Sequence, residues 1–373
     1  MRIALFAETF LPATDGIVTR LRYTIKELRG MGDELLIVAP KYGEGPGFYE
    51  GSPIYRVFSV PFPPYPQIKL APIHPGVRHA LEGFKPDLIH AVNPFILGWG
   101  TPYLSKKFDV PLVASYHTNI ADYARFYRLG VFDGITRWHT RRIHNRATLN
   151  LCTSEATKGY LKSQGIGRIH VWPQGVDTER FNPSKTSSWW RDRLSDGHPN
   201  DRLLLYVGRL AREKGIERLK AILSAVPGTR LAIVGDGPAR RDLEGEFAGT
   251  RTLFAGQLLG EELAAAYASA DVFLFPSLTE TLGMAMLEAL ASGLPVLAAR
   301  AGATHEVVDE GESGMLYDPA VPRALIDAVR TLAEDDELRA RLGRGARAAA
   351  ERRSWGSATS TLRGYYEKAL VAS

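Results

Sequence analysis

Short apolar runs punctuate the chain from its first residues: RIALFAE, DELLIVAP, YRVFSV, DLIHAV, PLVASYHT, LNLCTS and RIHVWP. Near-continuous runs of about four to six apolar residues fit parallel strands covered on both faces by helices. The stretches between them have helical spacing. RLRYTIKELRGMG places Leu21, Ile25 and Leu28 on one helical face and stops at glycine. The rhythm pauses at PQGVDTERFNPSKTSS and restarts with LLLYVGR, RLAIVGDG, TLFAGQ, DVFLFPS, PVLAAR and GMLYDP. This alternation predicts an α/β protein of two Rossmann-like, doubly wound parallel-sheet domains facing a central cleft. The expected domains are residues 1–178 and 179–352, with 353–373 as a closing helix.

Composition narrows the picture. A chain of 373 residues, 45% hydrophobic and 23% charged, is ordinary globular material with enough for two cores. No apolar run approaches the roughly 20 residues that span a bilayer. MRIALFAETF reaches Glu8 too early for a secretory core and reads as a strand. The single cysteine, Cys152, has no disulfide partner and fits a reducing, cytoplasmic compartment. Up to residue 180 there are 22 Lys and Arg against 15 Asp and Glu; beyond it there are 24 against 26. The basicity belongs to the N-terminal half, where it suits either surface drift or an anionic partner.

In open parallel sheets ligands bind beyond the carboxyl ends of the strands. After the first strand, Asp15-Gly16 precedes a helix whose N-terminal N–H groups can approach a phosphate; a simple turn glycine is the plainer reading. SYHTN ends another strand with His117. In VGRLAREKG, Arg209 and Lys214 follow a strand and suit a diphosphate, one as a fork and one as a point charge. Gly235 lies in the next strand-end loop, VGDGP, where Arg240 and Arg241 are expected to face solvent. Gln257 and Leu258 follow the third strand of this half, where backbone groups can read a nucleobase edge.

The stretch PSLTETLGMAMLEALASGLPV sets Glu280 and Glu288 eight residues apart in an apolar segment, with Thr279 or Thr281 as the expected N-cap. At about 100° per residue the two carboxylates lie roughly 80° and two turns apart, so they cannot share one atom. Two grips on an extended polyhydroxyl ligand fit better than a metal pair. The amides around Leu282, Gly283 and Met284 between them suit a phosphate.

These residues carry a resemblance. The chain resembles the retaining GT-B glycosyltransferases of family 4 through DGIVTRL, KPDLIHAVNP, SYHT, GVDTERFNP, YVGRLAREKG, VGDGP and the Glu280-to-Glu288 segment. Within the family it is most similar to sulfoquinovosyl-diacylglycerol synthases and to lipid mannosyl- or glucosyltransferases. The resemblance implies a nucleotide-diphosphate sugar as donor, with a UDP-sugar favoured over GDP-mannose, and a lipid acceptor such as diacylglycerol. It implies that Arg209 and Lys214 neutralise the diphosphate, Glu288 holds the ribose and Glu280 the sugar, while Gly16 lies under the diphosphate and His117 beside the sugar. It further implies retention of configuration, no cofactor, and a closing helix around Trp355–Ala369 that crosses back to the first domain. The chain holds no D-x-D, in keeping with a metal-independent site. Gly302-Ala303-Thr304-His305-Glu306 departs from the Gly-Gly-Ile-Pro-Asp of the related synthases, which leaves donor identity open; Arg300 beside it suits a sulfonate or a structural salt bridge.

Arg125–Ala147 interleaves six arginines with Phe126, Tyr127, Phe132 and Trp138, and VPFPPYPQIKLAPIHP adds an apolar loop. Composition alone suits nucleic acid or an anionic membrane. With the resemblance, the expectation is peripheral attachment to the inner membrane face and no nucleic acid. A nucleotide-sugar epimerase, a dinucleotide-dependent dehydrogenase and a non-catalytic sugar-nucleotide or lipid-binding module are the competing readings; the lack of a full G-x-G-x-x-G counts against the dehydrogenase.

Overall fold

The computed structural model describes every residue except 14, 44, 63–64, 118–132, 279–282, 303 and 373, and of 62, 65–68, 133, 135 and 136 only the backbone. The chain divides into two compact units, Met1–Gln174 with Trp355–Ser373, and Gly175–Ser354.

The first unit is built on an eight-stranded sheet. Its strands are β1 (Arg2–Ala7), β2 (Glu34–Pro40), β3 (Phe48–Tyr49), β4 (Ser52–Val57), β7 (Leu88–Val92), β8 (Leu112–Tyr116), β9 (Leu149–Cys152) and β10 (Ile169–Val171). Their order is β10-β9-β8-β7-β1-β2-β4-β3, parallel except for β3 against β4. Alternation decides what each face meets. Ile89 and Ala91 join one apolar layer; Leu88 and Val92 join the other, with Leu21, Ile25 and Leu28 of the helix Gly16–Gly30 and Leu362, Tyr366 and Ala369 of the helix Trp355–Val371.

The apolar stretch that begins at Val60 is strand rather than loop at Val60–Phe62 and Tyr65–Leu70. β5 (Val60–Phe62) and β6 (Tyr65–Leu70) pair antiparallel as a separate two-stranded sheet. Its Val, Phe, Tyr and Ile favour strands, and prolines are tolerated where a strand has an unpaired edge.

The second unit holds six parallel strands in the order β13-β12-β11-β14-β15-β16. These are β11 (Arg202–Val207), β12 (Thr229–Val234), β13 (Thr252–Gly256), β14 (Val272–Phe275), β15 (Val296–Ala299) and β16 (Gly314–Tyr317). The order reverses between β11 and β14, the switch point at which such sheets open a crevice for ligand.

Candidate functional site

In the second unit the loops after the strands continue the sheet. Gly208 N–H donates to the Val234 carbonyl at 3.0 Å, Gly235 N–H to that of Gly256 at 2.8 Å, and Leu210 N–H to that of Asp236 at 3.0 Å. Gly235 has φ +139, and a Cβ there would lie 1.9 Å from the Gly208 oxygen. Only glycine fits, and the result is a floor of bare backbone beside the switch point. Exposed Arg209 stands on this floor, and half-buried Lys214 ends the short 3-10 turn Arg212–Lys214. Exposed Gln257 and half-buried Leu258 follow β13. Arg240 pairs with Glu244 at 2.8 Å on the surface.

Past β14, the helix Met284–Ala291 is N-capped by Gly283 at φ +58, not by a threonine. Thr279, Glu280, Thr281 and Leu282 lie outside the described residues. A glycine cap brings no side-chain oxygen of its own to the first-turn N–H groups. Met284 is half-buried at the first position. Glu288, one turn further, is half-buried, and its Oε2 accepts from the hydroxyl of fully buried Tyr267 at 3.0 Å. Burial pushes the Glu288 carboxyl up to about 7, against the opposing pull of that hydrogen bond and of Arg180. Such a group, held at one oxygen, is set to take hydroxyl donors at the other. Arg300 forms an exposed ion pair with Glu310 at 2.5 Å, the salt bridge rather than an open guanidinium.

The first unit furnishes its strand ends with side chains. Asp15 caps the helix Gly16–Gly30 directly: its Oδ1 accepts from Val18 N–H at 2.8 Å. Glu8, after β1, accepts from the N–H groups of Phe95, Leu97 and Gly98 at 2.6, 3.1 and 2.8 Å, and burial raises its carboxyl above the usual range. His117, after β8, is buried; its Nε2 meets Ser115 Oγ at 2.8 Å and its backbone N–H donates to Asn93 Oδ1 at 3.2 Å. Burial first, then the Arg20 charge, hold its imidazole well below the usual range, hence neutral.

Arg20 is a full charge at 0% exposure. It donates to the Trp172 and Pro173 carbonyls at 2.8 and 2.9 Å and lies over the Trp172 ring at 3.7 Å. Its Nε and Nη1 have no hydrogen-bond partner among the described residues. Burial pulls it down only to about 9, so it stays cationic at neutral pH. The sequence reading passed over Arg20, Glu8 and Tyr267. For Arg20 a signal existed: with Leu21, Thr24, Ile25 and Leu28 it completes the buried stripe of its helix.

One surface of the first unit is aromatic and basic. Trp99 and Trp138 are 41% and 56% exposed, their rings 5.8 Å apart, and Arg142 lies over both at 5.3 and 5.5 Å. His139 stacks on Trp99 at 4.6 Å, and Tyr103 stands exposed with Lys107 at 6.0 Å. Trp138, Arg142 and His139 come from the helix Asp133–His144; Phe126, Tyr127 and Phe132 of the same basic stretch lie outside the described residues. No helix among the described residues is long and apolar enough to cross a membrane.

Comparison with known proteins bears on both units. The family model Glycosyltransferase Family 4 matches residues 14–180, and Glycosyl transferases group 1 matches 190–349. A sulfoquinovosyl transferase of Arabidopsis thaliana is 38% identical over 99% of this chain and 74% of its own length. A GDP-mannose-dependent alpha-mannosyltransferase of Mycolicibacterium smegmatis is 37% identical over 99% of this chain and 98% of its own. Among solved structures, the sucrose-phosphate synthase of Thermosynechococcus elongatus superposes with a TM-score of 0.85 over 100% of both chains at 24% identity, a likeness of fold.

Proposed function

Because the chain belongs to the family 4 glycosyltransferases of GT-B fold and is a hexosyltransferase, we propose that it moves a hexose from a nucleoside-diphosphate sugar to a lipid hydroxyl at an anionic membrane surface, with retention of configuration and without a metal. Diacylglycerol is the acceptor of choice and a UDP-sugar, UDP-glucose or UDP-sulfoquinovose, the donor. In the transfer the bond from the anomeric carbon to the diphosphate breaks, the bond to the acceptor oxygen forms on the same face, and the acceptor's proton passes to the departing phosphate.

In the second unit Arg209 and Lys214 stabilise the charge growing on the diphosphate, aided by the start of the helix Met284–Ala291. Glu288 receives the ribose hydroxyls, Glu280 those of the sugar, and the loop of Gln257 and Leu258 the base. In the first unit Gly16 serves the diphosphate and His117 the sugar, while Asp15 keeps the Gly16 turn in place.

The observation that carries the lipid reading is the exposed cluster of Trp99, Trp138 and Arg142. Two indoles and a guanidinium at the surface suit a headgroup layer, where rings enter the interface and cations meet lipid phosphates. Turnover with UDP-glucose, UDP-sulfoquinovose and GDP-mannose against diacylglycerol in phosphatidylglycerol-containing vesicles tests the reading. Transfer with none of them, or equal transfer to a soluble sugar, overturns it. A second reading, GDP-mannose as donor, is favoured by the 37% identical mannosyltransferase and is decided by the same panel.

A further inference from the structure

Beneath the helix Trp355–Val371, two polar side chains replace apolar ones in the layer that covers β7 and β8. They are His90 and Ser115, both 0% exposed. They belong to a chain of hydrogen bonds: Tyr366 hydroxyl to His90 Nδ1 at 2.7 Å, His90 Nε2 to Ser115 Oγ at 2.9 Å, and Ser115 Oγ to His117 Nε2 at 2.8 Å. Four residues from three elements and one strand end thus form one buried line, with Tyr366 and His117 at its ends.

The protons in this line can be counted. Ser115 has one hydroxyl proton and stands between two imidazole nitrogens, so it donates to one and accepts from the other. Each neutral imidazole carries one N–H. Two directions satisfy these rules: one ends in a buried proton on His117 Nδ1, the other in a buried proton left over on Tyr366. Its hydroxyl is fully buried, and among the described residues its hydrogen-bond partner is His90 Nδ1. Were His90 to hold its proton on Nδ1, the tyrosine proton would be buried with no acceptor among the described residues, a cost folded proteins avoid, whereas a proton on His117 Nδ1 has the sugar proposed beside it as acceptor. Tyr366 therefore donates to His90 Nδ1, His90 donates from Nε2 to Ser115, and Ser115 donates to His117 Nε2. His117 must then hold its single proton on Nδ1.

We propose that Tyr366 is a positioning residue for sugar transfer: acting through His90 and Ser115, it fixes His117 as the Nδ1–H tautomer, a hydrogen-bond donor that cannot accept a proton at that nitrogen. Arg20 supports this arrangement. The Trp172 ring has the Arg20 guanidinium at 3.7 Å and the rings of His90 and His117 at 5.8 and 5.4 Å. Burial first, and then this cation, keep both imidazoles neutral, with His90 held down at about 3. A proton added to His117 would leave two imidazole donors facing each other across Ser115, and one added to His90 would set its Nδ1–H against the donating Tyr366 hydroxyl.

Both the tautomer argument and its catalytic consequence rest on the proposed placement of His117 beside the donor sugar, and the two are measured separately. Long-range nitrogen–proton NMR of the full chain labelled with 15N-histidine separates the two tautomers, with His117→Gln and His90→Gln assigning the signals. The expected spectrum at pH 7 shows His117 protonated on Nδ1 and His90 on Nε2. His117 protonated on Nε2, or doubly protonated, overturns the inference. Tyr366→Phe keeps the ring and removes the hydroxyl. Its His90 and His117 signals are expected to move toward the opposite tautomers, with kcat falling about tenfold and the donor KM changing less, the size of one oriented hydrogen bond. A fall in kcat with both tautomers unchanged makes Tyr366 merely structural and overturns its positioning role. If wild-type His117 is the Nδ1–H form yet His117→Gln transfers sugar at the wild-type rate, the tautomer assignment stands and the placement beside the sugar falls.

Discussion

Behind β11 and β12, backbone meets backbone so closely that a Cβ at Gly235 would lie 1.9 Å from a carbonyl oxygen. Behind β7 and β8 of the first unit, the corresponding space is filled by His90, Ser115, His117, Trp172 and Arg20, all at 1% exposure or less. Two sheets of related design thus finish their strands in opposite ways. A bare-backbone floor presents N–H and C=O groups whose direction is set by the fold and suits a ligand rich in phosphate and hydroxyl. A layer of polar side chains can tune charge and proton position, but each member depends on every other. The first arrangement is sensitive to volume and the second to the removal of single atoms.

The contrast is broken most directly at Gly235. Gly235→Ala is expected to lose about 3 kcal/mol or more of stability, because the methyl group collides with fixed backbone at a φ that alanine avoids. Urea denaturation checks this, and an unchanged midpoint would mean that the loop has room to yield. Next comes Lys214→Ala, for which kcat should fall roughly 10²- to 10³-fold if the lysine stabilises charge on the leaving diphosphate. A change in KM alone would mean that it only binds the donor.

Glu288 sharpens the comparison, since it is a side-chain feature set beside the backbone floor. Its carboxyl is raised from 4.5 to about 7, so the fold favours the protonated form. The stability contributed by that form is complete below pH 4.5 and is lost as pH rises through about 7. Glu288→Gln, neutral at every pH, should therefore be roughly 1 to 3 kcal/mol more stable than the wild type at pH 8 and no different near pH 4. The same variant should bind donor about tenfold more weakly, since the ionised carboxylate is the stronger acceptor for ribose hydroxyls. By that logic wild-type donor affinity rises between pH 6 and pH 8, as calorimetry at the two values would show. The smallest effect is expected at the surface of the first unit. Trp138→Ala or Arg142→Ala should weaken binding to anionic vesicles about fivefold each, with the Arg142 contribution vanishing at high salt. Equal vesicle binding by wild type and variants would detach this surface from the membrane.

The same contrast explains what could be read from the sequence. The strands of both large sheets stand out as apolar runs, and the loops of Gly235 and Gly283 announce themselves because glycine at a strand end or helix start has a local backbone cause. Glu288 was visible as a charge in an apolar helix. Its partner Tyr267 was not, being 21 residues away on another helix. The His90–Tyr366 bond joins residues 276 apart, and no local pattern marks a histidine in a strand as one link of a network. Trp99 escaped notice because its importance comes from Trp138 and Arg142, on a helix far along the chain. The Thr279 or Thr281 cap was the usual choice for a helix start; the helix begins later, after a glycine whose Cβ would lie 2.6 Å from Met286 Cε.

Leu362, Tyr366 and Ala369 close an apolar layer whose other members precede residue 173. A ribosome adding about 5 to 20 residues per second needs roughly 10 to 35 seconds to make the intervening second unit. For that interval the nascent first unit has only the helix Gly16–Gly30 of the two that cover this face of its sheet. The apolar layer of the first unit is therefore completed by the last residues to be made.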